Sequence, residues 1–205
     1  MPWTRPFDDA GEYGVAYLDL LRCGANALDS KAIARAGAIL DEVINNGRSV
    51  FVCGNGGSAA ISNHLHCDFL KGIQTDTALR PRVISLSASI ETITAIANDI
   101  AYSEVFAYPL RTLACRGDAL ITISASGNSE NVVRAARWAR ENGVRTIALT
   151  GFSGGRTGPL ADVNIHIPVD NYGVVEDLHQ SVMHILAQFL RQKHMEPSQI
   201  PVAVF

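Results

Sequence analysis

The sequence predicts an α/β fold: a three-layer, doubly wound sandwich built on a five-stranded parallel sheet, with two helices ahead of it and a long helix at its end. Three observations carry that expectation. Five short apolar, β-branched runs, at 49–53, 82–86, 118–123, 145–149 and 163–167, alternate with segments of helical periodicity. Runs apolar at nearly every position, such as VFVC and LITI, belong in a parallel sheet covered on both faces. Two of the runs lead at once into GNGGS and SASGNS and then into a helix. Ligands in such sheets bind beyond the carboxyl ends of the strands.

The elements follow in order. Residues 1–9, with Pro2, Pro6 and two acids, read as a loose arm that orders against a neighbour. Two amphipathic helices fill 10–46: Tyr13, Tyr17, Leu20 and Leu21 mark the first, and Ile33, Ala36, Leu40, Val43 and Ile44 the second. Asp29 or Ser30 is an N-cap between them, and Asn45-Asn46-Gly47 a stop. Helical patterns also cover 90–97, 104–113, 129–142 and 174–194. The chain reads as one domain over 1–205, with the core and final helix in 48–195.

Composition narrows the function. A 205-residue chain with 47% hydrophobic and 18% charged residues is that of a globular protein with a sizeable core. A net charge of -3 without clustered Lys and Arg argues against nucleic-acid binding. No apolar run is long enough to span a bilayer, and the first residues lack a signal-peptide pattern, so a cytoplasmic protein is expected. Cys23, Cys53, Cys67 and Cys115 show no CxxC spacing and read as reduced thiols.

The chemistry starts at the turns. In Gly54-Asn55-Gly56-Gly57-Ser58 the glycines allow a sharp turn and a close approach, and the following helix offers free N–H groups and a positive dipole end to an anion. Ser124-Ala125-Ser126-Gly127-Asn128-Ser129 offers the same, although alone it is equally an ordinary loop with Asn128 or Ser129 as N-cap. Neither has Walker or GxGxxG spacing, so a sugar phosphate fits better than a nucleotide. His64 and Asp68, at i and i+4, share a helix face as an acid–base pair or half of a metal site. A solvated pair is the bland alternative.

GNGGS, SASGNS, the AIANDIAYSEVF segment and the LTGFSGG turn together resemble the sugar isomerase (SIS) domain. Within it the chain is similar, over nearly its whole length, to the phosphoheptose isomerases, which convert sedoheptulose 7-phosphate into D-glycero-D-manno-heptose 7-phosphate. The resemblance implies a phosphate held by Gly56, Gly57 and Ser58 and by Ser124, Ala125, Ser126 and Ser129, with Asn55 and Asp99 near the sugar hydroxyls. It implies a homotetramer with sites between subunits, and a role in heptose synthesis for a lipopolysaccharide, capsule or related glycan.

In that family the helix after the glycine turn supplies a histidine and a glutamate, and the final helix a glutamine and a histidine. The matching positions are His64, Asp68, Glu176 and His184, so Asp68 stands for the glutamate and Glu176 for the glutamine; Gly173 stands where an acid is usual. These four are the expected ligands of a divalent metal, zinc being favoured by the imidazoles. Asp68 and His184 are the expected acid and base, and Glu176 also a substrate contact. No organic cofactor is needed. Cys67, His179 and Asp177 are rival ligands by helical spacing, His66 reads as packing or solvated, and His166 and His194 carry no argument. The alternatives are an isomerase of another phosphosugar and a non-catalytic phosphosugar-binding or interaction module, like the replication initiator-associating proteins that lack the histidine and carboxylate set.

Overall fold

Alternation inside the strands decides how the layers assemble. The structure, a computed structural model, describes Trp3 and residues 6–205. In β1 (Ser49–Gly54) Val50 and Val52 point into one core, while Phe51 and Cys53 point into another on the opposite face of the sheet. With β2 (Arg82–Ser85), β3 (Ala119–Ser124), β4 (Arg145–Thr150) and β5 (Val163–His166), β1 forms a sheet of order β2-β1-β3-β4-β5. Every pairing is parallel; Val50 stands opposite Val83 on one side and Ala119 on the other. β1 and β3 are buried at every residue. Removing the fully buried ring of Phe51 costs about 3–5 kcal/mol.

Helices α2 (Ser30–Asn45), α3 (Gly57–Cys67) and α7 (Tyr172–His194) cover the Val50 face, through Leu40, Leu65 and Met183 among others. Helices α4 (Ile90–Asp99), α5 (Ala107–Leu113) and α6 (Glu130–Glu141) cover the Phe51 face, through Ile96, Leu110 and Val132. Helix α1 (Ala10–Asn26) lays Tyr17, Leu20 and Leu21 on the start of α7, at Val174, Val175 and Leu178. Three layers result, with β3 central in the sheet and β1 beside it. The chain leaves β1 for β2 on one side and returns to β3 on the other, which opens a crevice at the carboxyl ends of β1 and β3.

Most boundaries fall within two residues of expectation. Asp29 caps α2 by accepting from Lys31 N, and Asp9 caps α1 by accepting from Glu12 N. The helix expected over 104–113 is broken: a 3₁₀ turn at Tyr102–Glu104 precedes α5, which begins at Ala107. Pro109 explains the late start, because proline lacks an N–H and is tolerated only in a helix's first turn. After Cys67, α3 continues as a π-helical turn, Asp68–Gly72, in which Ile73 N donates to Asp68 O at 3.1 Å. Such widened turns occur often at functional sites. Of the expected arm, Met1, Pro2, Thr4 and Arg5 lie outside the described residues. Trp3 and Phe7 pack edge-on against each other and against Tyr13 of α1, with centroids 4.7–5.6 Å apart, so this part of the arm finds its partner in its own chain.

Candidate active site

Backbone geometry builds the crevice first. The loop after β3 turns at Gly127, whose φ of 63° favours glycine and whose Cα faces Gly154 so closely that a Cβ would lie 2.4 Å from the Gly154 carbonyl oxygen. That contact locks the β3 loop against the loop after β4. The Gly127 carbonyl accepts from Arg156 N at 2.9 Å and Thr157 N at 3.0 Å, and Arg156 also reaches Asn128 O and Glu130 Oε2. The serine loop is therefore held in place from behind.

Between this loop and the β1 turn lies a cavity of about 240 Å³. Nine of the residues expected to bind substrate line it: Asn55, Gly56, Gly57, Ser58, Ser124, Ala125, Ser126, Ser129 and Glu176. The Ser124 and Ser126 hydroxyls accept from Gly127 N and Asn128 N at 3.2 Å, which leaves each O–H to donate outward. Ser129 caps α6 without spending its side chain on the helix. Two helix N-termini and a set of hydroxyls thus converge, and among the described residues no Lys or Arg joins the lining.

Asp99 is not brought in. It lies exposed at the end of α4, where its carboxylate accepts from Asn98 Nδ2 at 2.8 Å. Asn55 is held by residues the sequence did not single out. Asn131 exchanges two 2.9 Å amide hydrogen bonds with Asn55, and the Tyr102 hydroxyl donates to Asn55 Oδ1 at 2.9 Å. Asn131 is buried on the first turn of α6, so the pair ties the β1 turn to the β3 loop across the crevice.

Further along α3, three expected residues meet. The ligating atoms of His64, Asp68 and His184 lie within 4.8 Å of one another. Asp68 bridges the two rings, with Oδ1 3.3 Å from His64 Nε2 and Oδ2 3.0 Å from His184 Nδ1. The other side of the rings is bridged by Gln180, whose Nε2 lies 2.9 Å from His64 Nδ1 and 3.0 Å from His184 Nε2. An amide nitrogen only donates, so the ring nitrogens facing Gln180 accept, and the His184 Nδ1 that meets the Asp68 carboxylate is the one that donates. Asp68, though shorter than a glutamate, reaches both histidines. A second cavity, of about 540 Å³, opens beside this cluster and is lined also by Lys71, Arg191 and Phe205.

Glu176 does not join the cluster. Its carboxylate lies in the first cavity against Gly57, and burial together with the neighbouring Asp177 holds its pKa above the ordinary carboxylate range. Of the rival ligands, Asp177 accepts from the Tyr17 hydroxyl at 2.6 Å, and burial, reinforced by that bond, pushes the Tyr17 pKa up; Cys67 is exposed outside the cluster. His179 is fully buried on the inner face of α7, its pKa pressed down to about 4 by burial. Gln180 was open to detection: it lies four residues from both Glu176 and His184, on the helix face the sequence had already marked.

Two imidazoles and a carboxylate converging from α3 and α7 fit a divalent cation by donor type. The same set, with a carboxylate in contact with an imidazole, fits proton transfer beside a polar cavity.

Comparison with known proteins gives a consistent picture. Residues 15–151 match the model of the SIS domain. The phosphoheptose isomerase of Colwellia psychrerythraea is 38% identical over 169 residues, 81% of this chain and 86% of that protein. That of Helicobacter pylori is 37% identical over 75% of this chain and 80% of its own length. Among solved structures, a phosphoheptose isomerase from Francisella tularensis superposes with a TM-score of 0.82 at 32% identity, covering 89% of this chain and 96% of that one. The Vibrio vulnificus NanR protein, at 16% identity and a TM-score of 0.67, shares the fold.

Proposed function

Because the chain belongs to the phosphoheptose isomerase family of SIS-domain proteins, we propose that it isomerises sedoheptulose 7-phosphate to D-glycero-D-manno-heptose 7-phosphate, for heptose synthesis. The single observation that carries this reading is the pairing of an anion-ready cavity with the His64–Asp68–His184 cluster further along the same helix. A sugar phosphate anchored at the β1 and β3 loops would extend its carbonyl end along α3 toward the cluster.

In this reading the neutral donors of the Ser58 and Ser124–Ser129 loops hold the phosphate. A base takes the proton from the carbon next to the carbonyl, an enediol forms, and the proton returns to the neighbouring carbon. Asp68 and His184 fill those roles: their contact at 3.0 Å lets one hold the proton the other releases. Gln180 fixes the orientation and tautomer of both rings. The reaction moves hydrogen within one molecule, so it requires no organic cofactor. His64, Asp68 and His184 would hold a divalent cation, zinc by the preference of imidazole; bound, such an ion polarises a carbonyl and stabilises the developing oxyanion. Glu176 belongs with the phosphate cavity by its position, and Asp99 reaches sugar hydroxyls only by a shift of the α4 end.

The proposal extends to one domain over 1–205, a cytoplasmic homotetramer and sites completed between subunits. Supporting the assembly, α1 exposes Tyr13, Val15 and Leu18, and α7 exposes Ile185 and Phe189, more apolar side chains than a lone helical layer needs to show. The test is incubation of zinc-supplemented protein with sedoheptulose 7-phosphate while the aldose product is followed. Turnover supports the reading; binding of the sugar phosphate without turnover of it or of related ketose phosphates refutes it.

A further inference from the structure

The cavity between the β1 and β3 loops already contains a negative charge. Glu176 stands on the first turns of α7 and lays its carboxylate over Gly57, the first residue of α3: a Cβ on Gly57 would lie 2.3 Å from Glu176 Oε2 and 2.6 Å from Oε1. That is the place where the free N–H groups and the positive end of α3 favour an anion. Among the described residues the carboxylate has no hydrogen-bond or ion-pair partner of its own. Its neighbour Asp177 is turned away and engaged by Tyr17. Among the described residues no cationic side chain lines the cavity to offset the charge.

We propose that Glu176 is a built-in competitor for the phosphate group: its carboxylate stands over the start of α3 without accepting from the N–H groups there, and a phosphate seated on those groups must push it aside or bind against its charge. The inference rests on the reading of this cavity as the phosphate site and concerns what sets its affinity and selectivity. A bare phosphate gains only the contacts to the loops, and Glu176 counts against all of them. A sugar phosphate adds contacts from its carbon chain, and those tip the balance. The residue thereby keeps inorganic phosphate out of a site that must release a phosphorylated product.

Calorimetric titration with inorganic phosphate at pH 8 and low salt tests this on the full chain, comparing the parent with Glu176→Gln and Glu176→Ala, each first shown by thermal melting to be folded. A phosphate dianion roughly 6 Å from a carboxylate, in a water-like dielectric, is repelled by enough to weaken binding about tenfold. Both variants should therefore bind inorganic phosphate about tenfold more tightly than the parent. The advantage should shrink to about twofold to threefold at 0.5 M salt, where the charge is screened. Affinity in the variants that equals or falls below that of the parent overturns the proposal and leaves the phosphate site standing. If neither inorganic phosphate nor sedoheptulose 7-phosphate binds parent or variants, the phosphate reading of the cavity falls, and the competitor role with it.

Discussion

Acid should destabilise this fold through His179, beyond what its paired carboxylates contribute. The ring is wholly buried under α7, and neither nitrogen meets a partner at full hydrogen-bonding geometry. The Thr150 backbone offers a partial contact and His166 lies close enough to repel a charge; burial dominates and holds the pKa at about 4, against 6.5 for a free histidine. The folded protein thus keeps the ring neutral where the unfolded chain takes up a proton. Stability is fully present above about pH 6.5 and is lost as pH falls from there to about 4, at up to ~1.4 kcal/mol per pH unit. The interval of about 2.5 units corresponds to a loss on the order of 3 kcal/mol, a large fraction of a typical domain's stability. Urea denaturation at fixed protein concentration, at pH 7.0, 6.0, 5.0 and 4.5, measures it. His179→Leu fills the site with an apolar side chain that cannot titrate, so its stability should fall less with acid than the parent's, the gap widening by about 2–3 kcal/mol across that range. Contributions from ionisable groups that do not act on His179 are common to both proteins and cancel in the difference. Parallel stability curves for parent and variant would refute the argument.

The cluster and the loops give three further expectations. Asp68→Asn keeps the shape but removes the carboxylate that touches both imidazoles, so kcat for sedoheptulose 7-phosphate should fall by about a hundredfold or more with binding of the sugar phosphate retained, as a calorimetric titration would show. Gln180→Leu removes the donor shared by His64 and His184; kcat should drop by about tenfold while affinity for inorganic phosphate is unchanged, and equal loss of both would make Gln180 merely structural. Gly127→Ala forces a side chain into a left-handed conformation and onto the Gly154 carbonyl, at a cost of about 1–3 kcal/mol, read as a lower melting temperature together with a raised KM.

The sheet was legible because local and global signals agree in it. A strand such as VFVC is apolar on both faces only if helices cover both faces, and the order of runs and helices then leaves few topologies. The turn at Gly54–Ser58 and the serine loop were legible for the same reason, since backbone requirements are written in residue type: glycine where a φ is positive, hydroxyls and amides where N–H groups need partners. His64, Asp68 and His184 could be read as a set through helical spacing within α3 and through the family resemblance between α3 and α7.

What escaped the sequence depends on which of several adjacent side chains a helix turns inward, and that is decided by packing between layers. On α7, Glu176, Asp177, His179, Gln180 and His184 all carry polar chemistry at spacings of one to four residues. The sheet takes His179, α1 takes Asp177 through Tyr17, the α3 N-terminus takes Glu176, and only then does Gln180 fall between the two imidazoles. Periodicity narrows such a choice to a face about 100° wide and no further. The π turn at Asp68–Gly72 was equally hidden, because one widened turn changes the register of all that follows without any required residue type. The consequence reaches function: an amide one turn further along α7 stands at the histidines, while the acid matched to the family's glutamine position lies against Gly57 in the loop cavity. On the proposed reading, phosphate affinity and proton transfer respond to separate residues of one helix, and substitution at Glu176 and at Gln180 should change different steps of the same reaction.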